Sequence, residues 1–268
     1  MRYCVNYIND FRHFDKIDEI ILSYYKVNHH LIEKVQEYSD NVRIVIDVRT
    51  CPEEDIIESF DIFAETKEAH NNIAFLLRYE HHSVLEQECK DKGYNFFYDM
   101  HINTPDKLLW VTKQGVSDIY LTDELAFSFE SIYIKYGKKI NIRLFPNVAQ
   151  STYREYKGID RFFIRPDDIS LYDFDCVIIE FFGPLDRQSV LYEIYTGQKW
   201  IGALNEVIIG LEEDNVNNMA IYPAFGSIRK NCNKRCALDG CNICERISSF
   251  GHQLKDADLG FRKEQENG

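Results

Sequence analysis

Cys232, Cys236, Cys241 and Cys244 follow the pattern Cys-x3-Cys-x4-Cys-x2-Cys inside the stretch "IRKNCNKRCALDGCNICERI". Four thiolates this close along the chain can close a tetrahedral shell around one centre, and Zn2+ is the simplest occupant because a Cys4 shell is its usual structural site. A [4Fe-4S] cluster takes the same four ligands, so the spacing leaves both metals open. The compact spacing and the late position favour a closed structural centre over a reaction centre. Cys4, Cys51, Cys89 and Cys176 are dispersed, and Cys4 and Cys176 fall in apolar runs where a free thiol reads as a small buried hydrophobe.

A second set of candidates lies where apolar runs end in ionisable residues. Asp47, Arg49, Glu80, His101, Arg165 and Glu180 are the hardest to dismiss, because a charge beside an apolar strand is costly unless it is paired or used. Such a ring of arginines and carboxylates suits a polar or anionic substrate, and it equally suits a structural ion-pair network. His81 and His82 are adjacent and cannot both point inward. Asp123, Asp168 and Asn103 stand where a side chain caps the following helix.

The elements that must hold these residues alternate. Strands are expected at Arg2–Tyr7, Val42–Val48, Ile73–Tyr79, Asn95–Ile102, Asp118–Thr122, Ile140–Phe145, Arg161–Arg165 and Cys176–Phe182, with helical spacing between them, as in "FDKIDEIILSYY", "SVLEQECKDKG" and "TPDKLLWVTKQG". Pro52 and Pro105 open helices, and Gly93, Gly115 and Gly137 close them. Near-continuous apolar strands alternating with helices make a parallel sheet covered on both sides. Eight such units, with no GxGxxG or P-loop after the first strand, predict a compact (β/α)8 barrel of the TIM type over residues 1–196. Residues 197–268 are expected as a C-terminal extension that carries the Cys4 metal loop and packs on the barrel. In a barrel the chemistry belongs at the carboxyl ends of the strands, where the candidate ring falls.

The formal net charge of −13 argues against nucleic acid binding over the whole surface. Arg229, Lys230, Lys234, Arg235 and Arg246 nevertheless form a basic island around the cysteines. It either offsets thiolate charge or contacts nucleic acid. The start, "MRYCVNYINDFRHF", lacks an apolar run behind a basic end, and no apolar run approaches the roughly eighteen residues of a membrane span. The chain is therefore expected to be cytoplasmic, soluble and without a membrane partner.

The compact βα units, the phrases "GVSDIYLTDELAF", "IRLFPNVAQ" and "RFFIRPDDISLYDFD", and the late cysteine quartet together resemble the collagenase-like peptidase family over Asn41 to Cys244. The resemblance implies a barrel-like fold and a quartet that in several members binds an iron–sulfur cluster. It also implies relatives that hydroxylate RNA bases or a quinone precursor, beside others described as proteases. The family spreads its cysteines more widely than the single short loop found here. No GxSxG or HExxH supports hydrolysis. Two classes follow: a barrel enzyme acting at its rim, and an accessory protein whose zinc-stapled basic loop contacts a partner.

Overall fold

Short runs such as "RIVID" and "IAFLL" become strands because β-branched and large apolar side chains fill both faces of a covered sheet. The structure, a computed structural model, describes residues 1–6, 16–24, 41–58, 72–102, 104–121, 125, 129–149, 162–211, 216–221, 224–232 and 246. Nine strands occur among them: β1 (Arg2–Asn6), β2 (Glu19–Ser23), β3 (Arg43–Asp47), β4 (Ile73–Leu77), β5 (Asn95–Tyr98), β6 (His101–Ile102), β7 (Asp118–Leu121), β8 (Asn141–Leu144) and β9 (Val177–Glu180). All pair in parallel, in the order β5-β4-β3-β2-β1-β9-β8-β7-β6.

The two ends of that order, β5 and β6, are separated along the chain only by Asp99 and Met100. The sheet must therefore curl until its ends meet. β5 and β6 are two halves of one kinked passage, the Asn95–Ile102 run, with the first half pairing β4 and the second pairing β7. The backbone N–H of Ser117 donates to the Phe96 carbonyl at 2.9 Å and ties the seam below β6. Eight chain passages thus form an α/β barrel.

Two expected elements are corrected. "EIILS", read as part of a helix, is strand β2, buried on nearly every residue and paired with both β1 and β3. The Arg161–Arg165 run is not a strand of the sheet. Within its described part the Ile164 N–H donates to the Pro146 carbonyl at 2.9 Å, and the chain turns at Pro166 into a short 3-10 helix, Pro166–Tyr172.

Six α-helices lie among the described residues: α1 (Glu53–Glu58), α2 (Ser83–Lys92), α3 (Pro105–Lys113), α4 (Phe129–Tyr136), α5 (Gln188–Thr196) and α6 (Phe225–Lys230). Their punctuation follows the sequence. Gly93 closes α2 in the left-handed region at φ 70°, and Thr104 Oγ1 accepts from the Lys107 N–H ahead of Pro105 at the start of α3. Beyond α5, the Ala149 N–H donates to the Ile209 carbonyl at 2.7 Å and the Ile209 N–H to the Asn147 carbonyl at 2.8 Å. Leu204, Ile208, Val216 and Phe225 join the barrel's own hydrophobic core, so these residues beyond α5 pack on the barrel. Among the described residues no helix is long and apolar enough to cross a membrane.

Candidate functional site at the carboxyl ends of the strands

The inside of a strand barrel is lined by every second residue. In β3 this row is Arg43, Val45 and Asp47, and the register sets Arg43 beside Glu19 of β2, Glu19 beside Cys4 of β1, and Cys4 beside Glu180 of β9. Across the barrel the register aligns His101, Tyr120 and Arg143. A barrel interior is commonly filled by branched apolar side chains. Here much of it is ionic.

Arg143 is fully buried and stands at the centre. Its Nη2 donates to Glu19 and, at 2.8 Å, to Glu180 Oε2; its Nε donates to the same Glu180 oxygen at 3.1 Å and its Nη1 to Asp118 Oδ1 at 3.4 Å. Arg43 completes the network, with Nη1 and Nη2 each 2.6 Å from an Asp118 oxygen and Nη1 3.0 Å from Glu19 Oε2. Both guanidiniums lie over the Phe97 ring, Arg143 at 4.7 Å and Arg43 at 5.8 Å. Burial alone would raise the carboxyl pKa values, but the facing guanidiniums outweigh it and hold Asp118 and Glu19 below the usual carboxylate range. Burial, reinforced by Glu19, pushes the Cys4 thiol well up and keeps it protonated.

Above this plug lies the mouth. The Tyr120 hydroxyl donates to Glu180 Oε2 at 2.9 Å, and burial together with the Glu180 charge keeps that phenol protonated. The Tyr120 ring stacks on Phe145 at 5.1 Å with 3° between planes, Phe145 meets Phe182 edge-on at 6.0 Å, and the His101 ring lies 22° from parallel to Tyr120 at 6.5 Å. These rings climb from the buried interior to the rim, where Phe182 is 54% exposed. Phe182 is fixed by the Asn147 side chain, whose Nδ2 donates to the Phe182 carbonyl at 2.7 Å while its Oδ1 accepts the Phe182 N–H at 3.0 Å.

On the β3 side, Arg49 bends back onto Asp47, with Nε to Oδ1 at 2.8 Å and Nη2 to Oδ2 at 2.7 Å. The Asp47 hydrogen bonds make the guanidinium more basic than usual against the cost of burial, and Arg49 stands just past the carboxyl end of β3, at the mouth. The pair is neutral as a unit, and among the described residues no hydrogen bond engages Nη1 of Arg49. Gln188, at the start of α5, accepts the Asn6 N–H at 2.9 Å and joins the first helix after β9 to the end of β1.

Of the six rim candidates, the mouth therefore brings together Asp47, Arg49, His101 and Glu180. Glu80 stands apart, exposed after β4 at φ 67°. Arg165 is turned away: its Nε and Nη2 chelate Asp168 at 2.7 and 3.1 Å, and its Nη1 reaches Asn218 Oδ1 at 3.2 Å, tying the 3-10 helix to the extension. Asp168 is thus an ion-pair partner rather than a free helix cap. His82 is enclosed as well, accepting the Arg78 N–H on Nδ1 and meeting the Cys51 carbonyl through Nε2. The residues not singled out from sequence are Glu19, Arg43, Asp118, Tyr120, Phe145 and Phe182. Arg43 and Arg143 did carry a signal, since each is a charge at an alternating position of an otherwise apolar strand, as Glu180 is.

Cys232 is half-buried against the core just after α6, whereas Cys236, Cys241 and Cys244 lie outside the described residues. Among the described residues no three metal-ligating side chains converge. Of the basic island, Arg229 is buried over Phe163 at 4.9 Å and Phe225 at 5.3 Å. Lys230 lies over Phe174 at 4.9 Å with its Nζ donating to the Leu171 carbonyl at 2.8 Å. Arg246 is exposed, and Lys234 and Arg235 lie outside the described residues.

No protein-family model matches the chain, and no curated protein sequence does. Solved structures with a similar backbone course include phosphoribosyl anthranilate isomerase in complex with reduced 1-(o-carboxyphenylamino)-1-deoxyribulose 5-phosphate, at 11% identity and TM-score 0.43, covering 74% of this chain and 99% of that one. Phosphoribosyl anthranilate isomerase from Thermotoga maritima follows at 11% identity and TM-score 0.46, covering 74% and 98%. 3-Hexulose-6-phosphate synthase from Salmonella typhimurium gives 12% identity and TM-score 0.41, covering 74% and 100%. None of the three is a collagenase-like peptidase, and likeness of this degree bears on neither site nor substrate.

Proposed function

We propose that the chain is a barrel enzyme that binds a small planar, polar ligand in the mouth formed by Tyr120, Phe145, Phe182, Arg49 and Glu180. The observation that carries this reading is the stack of Tyr120 on Phe145, continued edge-on by the exposed Phe182, beside a charged pair with a donor to spare. Aromatic rings at a rim offer a face to a flat ring, and polar groups at the wall fix its orientation. A nucleobase, free or splayed from a nucleic acid strand, has that shape and polarity. Because Asp47 neutralises Arg49, a polar ring fits this mouth better than a bare anion. In this reading Asp47 positions Arg49, Arg49 donates to the ligand, and Glu180 and Tyr120 form the floor.

The cysteine quartet supports a second part of the reading. Cys232, Cys236, Cys241 and Cys244 would hold Zn2+, which closes the loop behind α6, or a [4Fe-4S] cluster as the family resemblance implies. The inward packing of Arg229 and Lys230 leaves fewer cations for a partner and so weighs against the accessory-protein alternative.

Titration of the full-length protein with cytosine, uracil and nicotinamide, followed by NMR, tests the mouth. At least one of these rings binds and loses about tenfold in affinity on Phe182→Ala, a truncation at an exposed position. Binding unaffected by Phe182→Ala would place the ligand elsewhere.

A further inference from the structure

Among the described residues the ion count of the mouth and its floor is unequal. Glu19, Asp118 and Glu180 form ion pairs, among the described residues, only with Arg43 and Arg143, all five are buried, and the Asp47–Arg49 pair above them adds no net charge. Cys4 and Tyr120, also in contact with the network, stay protonated and bring no countercharge. Of these three carboxylates Glu180 is the one nearest the mouth. All three of its hydrogen bonds, from Tyr120 and from two nitrogens of Arg143, fall on Oε2, while the side chain keeps 8% exposure. No donor among the described residues reaches its Oε1, which lies at the foot of an aromatic wall. Among the described residues the groups that act on Glu180 are Tyr120, Arg143, Cys4 and the charge of Arg49, with His101 parallel to the Tyr120 ring.

We infer that the ring taken by this mouth carries a cationic or N–H-donating substituent that binds Glu180 Oε1, so that the substrate class is an amino- or amidine-bearing planar ring. The inference rests on the ring-binding reading above and specifies its polarity. A donor there pairs the open carboxylate oxygen and balances the uneven charge, while the half-buried Phe145 ring and the exposed Phe182 ring attract the cation through their quadrupoles. An anionic substituent would meet a floor that is already negative.

The test titrates the full-length protein with benzamidinium, benzamide and benzoate, rings of one size that differ in the charge of a single substituent, following Tyr and Phe ring resonances. Benzamidinium is expected to bind about tenfold or more tightly than benzoate, with benzamide between them. Benzoate binding as well as benzamidinium overturns the inference and leaves a ring-binding mouth standing. Failure of all three to move the Tyr120 and Phe182 resonances overturns both. In Glu180→Gln the preference for benzamidinium over benzamide is expected to vanish, and its survival in a folded variant would also overturn the inference. Should that variant fail to fold, the wild-type series decides alone.

Discussion

Tyr120 of β7 and Glu180 of β9, sixty residues apart in sequence, meet inside the barrel over the intervening β8, with the phenol donating to Oε2 at 2.9 Å, on an oxygen already held by Arg143. That contact joins the aromatic wall of the mouth to the ionic plug beneath it. Tyr120→Phe keeps the ring and its stack on Phe145 but removes the donor. A buried hydrogen bond to a charged acceptor is worth roughly 1.5–3 kcal/mol, and urea denaturation of the variant should show a loss of that order. An unchanged midpoint would mean that Glu180 does not rely on this donor.

Arg143→Met tests the plug more severely. It strands Glu19 and Glu180 without their shared guanidinium, and breaking a buried pair from one side costs about 3–5 kcal/mol. A loss below about 1 kcal/mol would contradict the network.

The plug also sets a pH dependence. The folded-state pKa values of Asp118 and Glu19 are depressed by Arg43 and Arg143 against the opposing effect of burial, so their contribution is fully present above the unfolded carboxylate values of about 4. It is lost as pH falls through the lower folded values. Wild type should therefore exceed Asp118→Asn in stability by the most near pH 6, and the gap should narrow below about pH 4. A gap that widens on acidification would reverse the sign.

Gly226→Ala should loosen the extension. An added Cβ would lie 2.6 Å from Asp168 Oδ1 and would push that carboxylate off Arg165. Destabilisation of about 1–3 kcal/mol is expected, with ring binding at the mouth unchanged because Arg165 is turned away from it. A neutral substitution would show that the Asp168 side chain yields freely.

Metal analysis of anaerobically purified protein addresses the quartet. One zinc per chain is expected, lost in Cys241→Ser, with no absorbance near 400 nm; brown protein with stoichiometric iron would replace zinc by a cluster. Metal-free wild type would remove the centre altogether.

The alternation of apolar runs and capped helices made most of the barrel legible, because each strand carries its own burial pattern. β2 was hidden by coincidence: Phe14, Ile17 and Ile21 recur at helical spacing, so a five-residue strand reads as a helix turn. The Arg161–Arg165 run erred in the other direction, since "RFFIR" is apolar enough for a strand but Arg165 is drawn to Asp168 and Asn218 outside the sheet. Asp47, Arg49 and Glu180 were readable as charges closing apolar strands. The plug was not, because the partners of Glu19 lie 24 and 124 residues away, and only barrel closure brings Arg43 and Arg143 to it.

Intermolecular NOEs from bound cytosine or benzamidinium to labelled Phe and Tyr rings of the full-length chain locate the ligand directly. NOEs to Phe182, Phe145 and Tyr120 that disappear in Phe182→Ala are the predicted result. Ligand NOEs confined to rings away from the strand ends, or unchanged in Phe182→Ala, would contradict a ring-binding mouth.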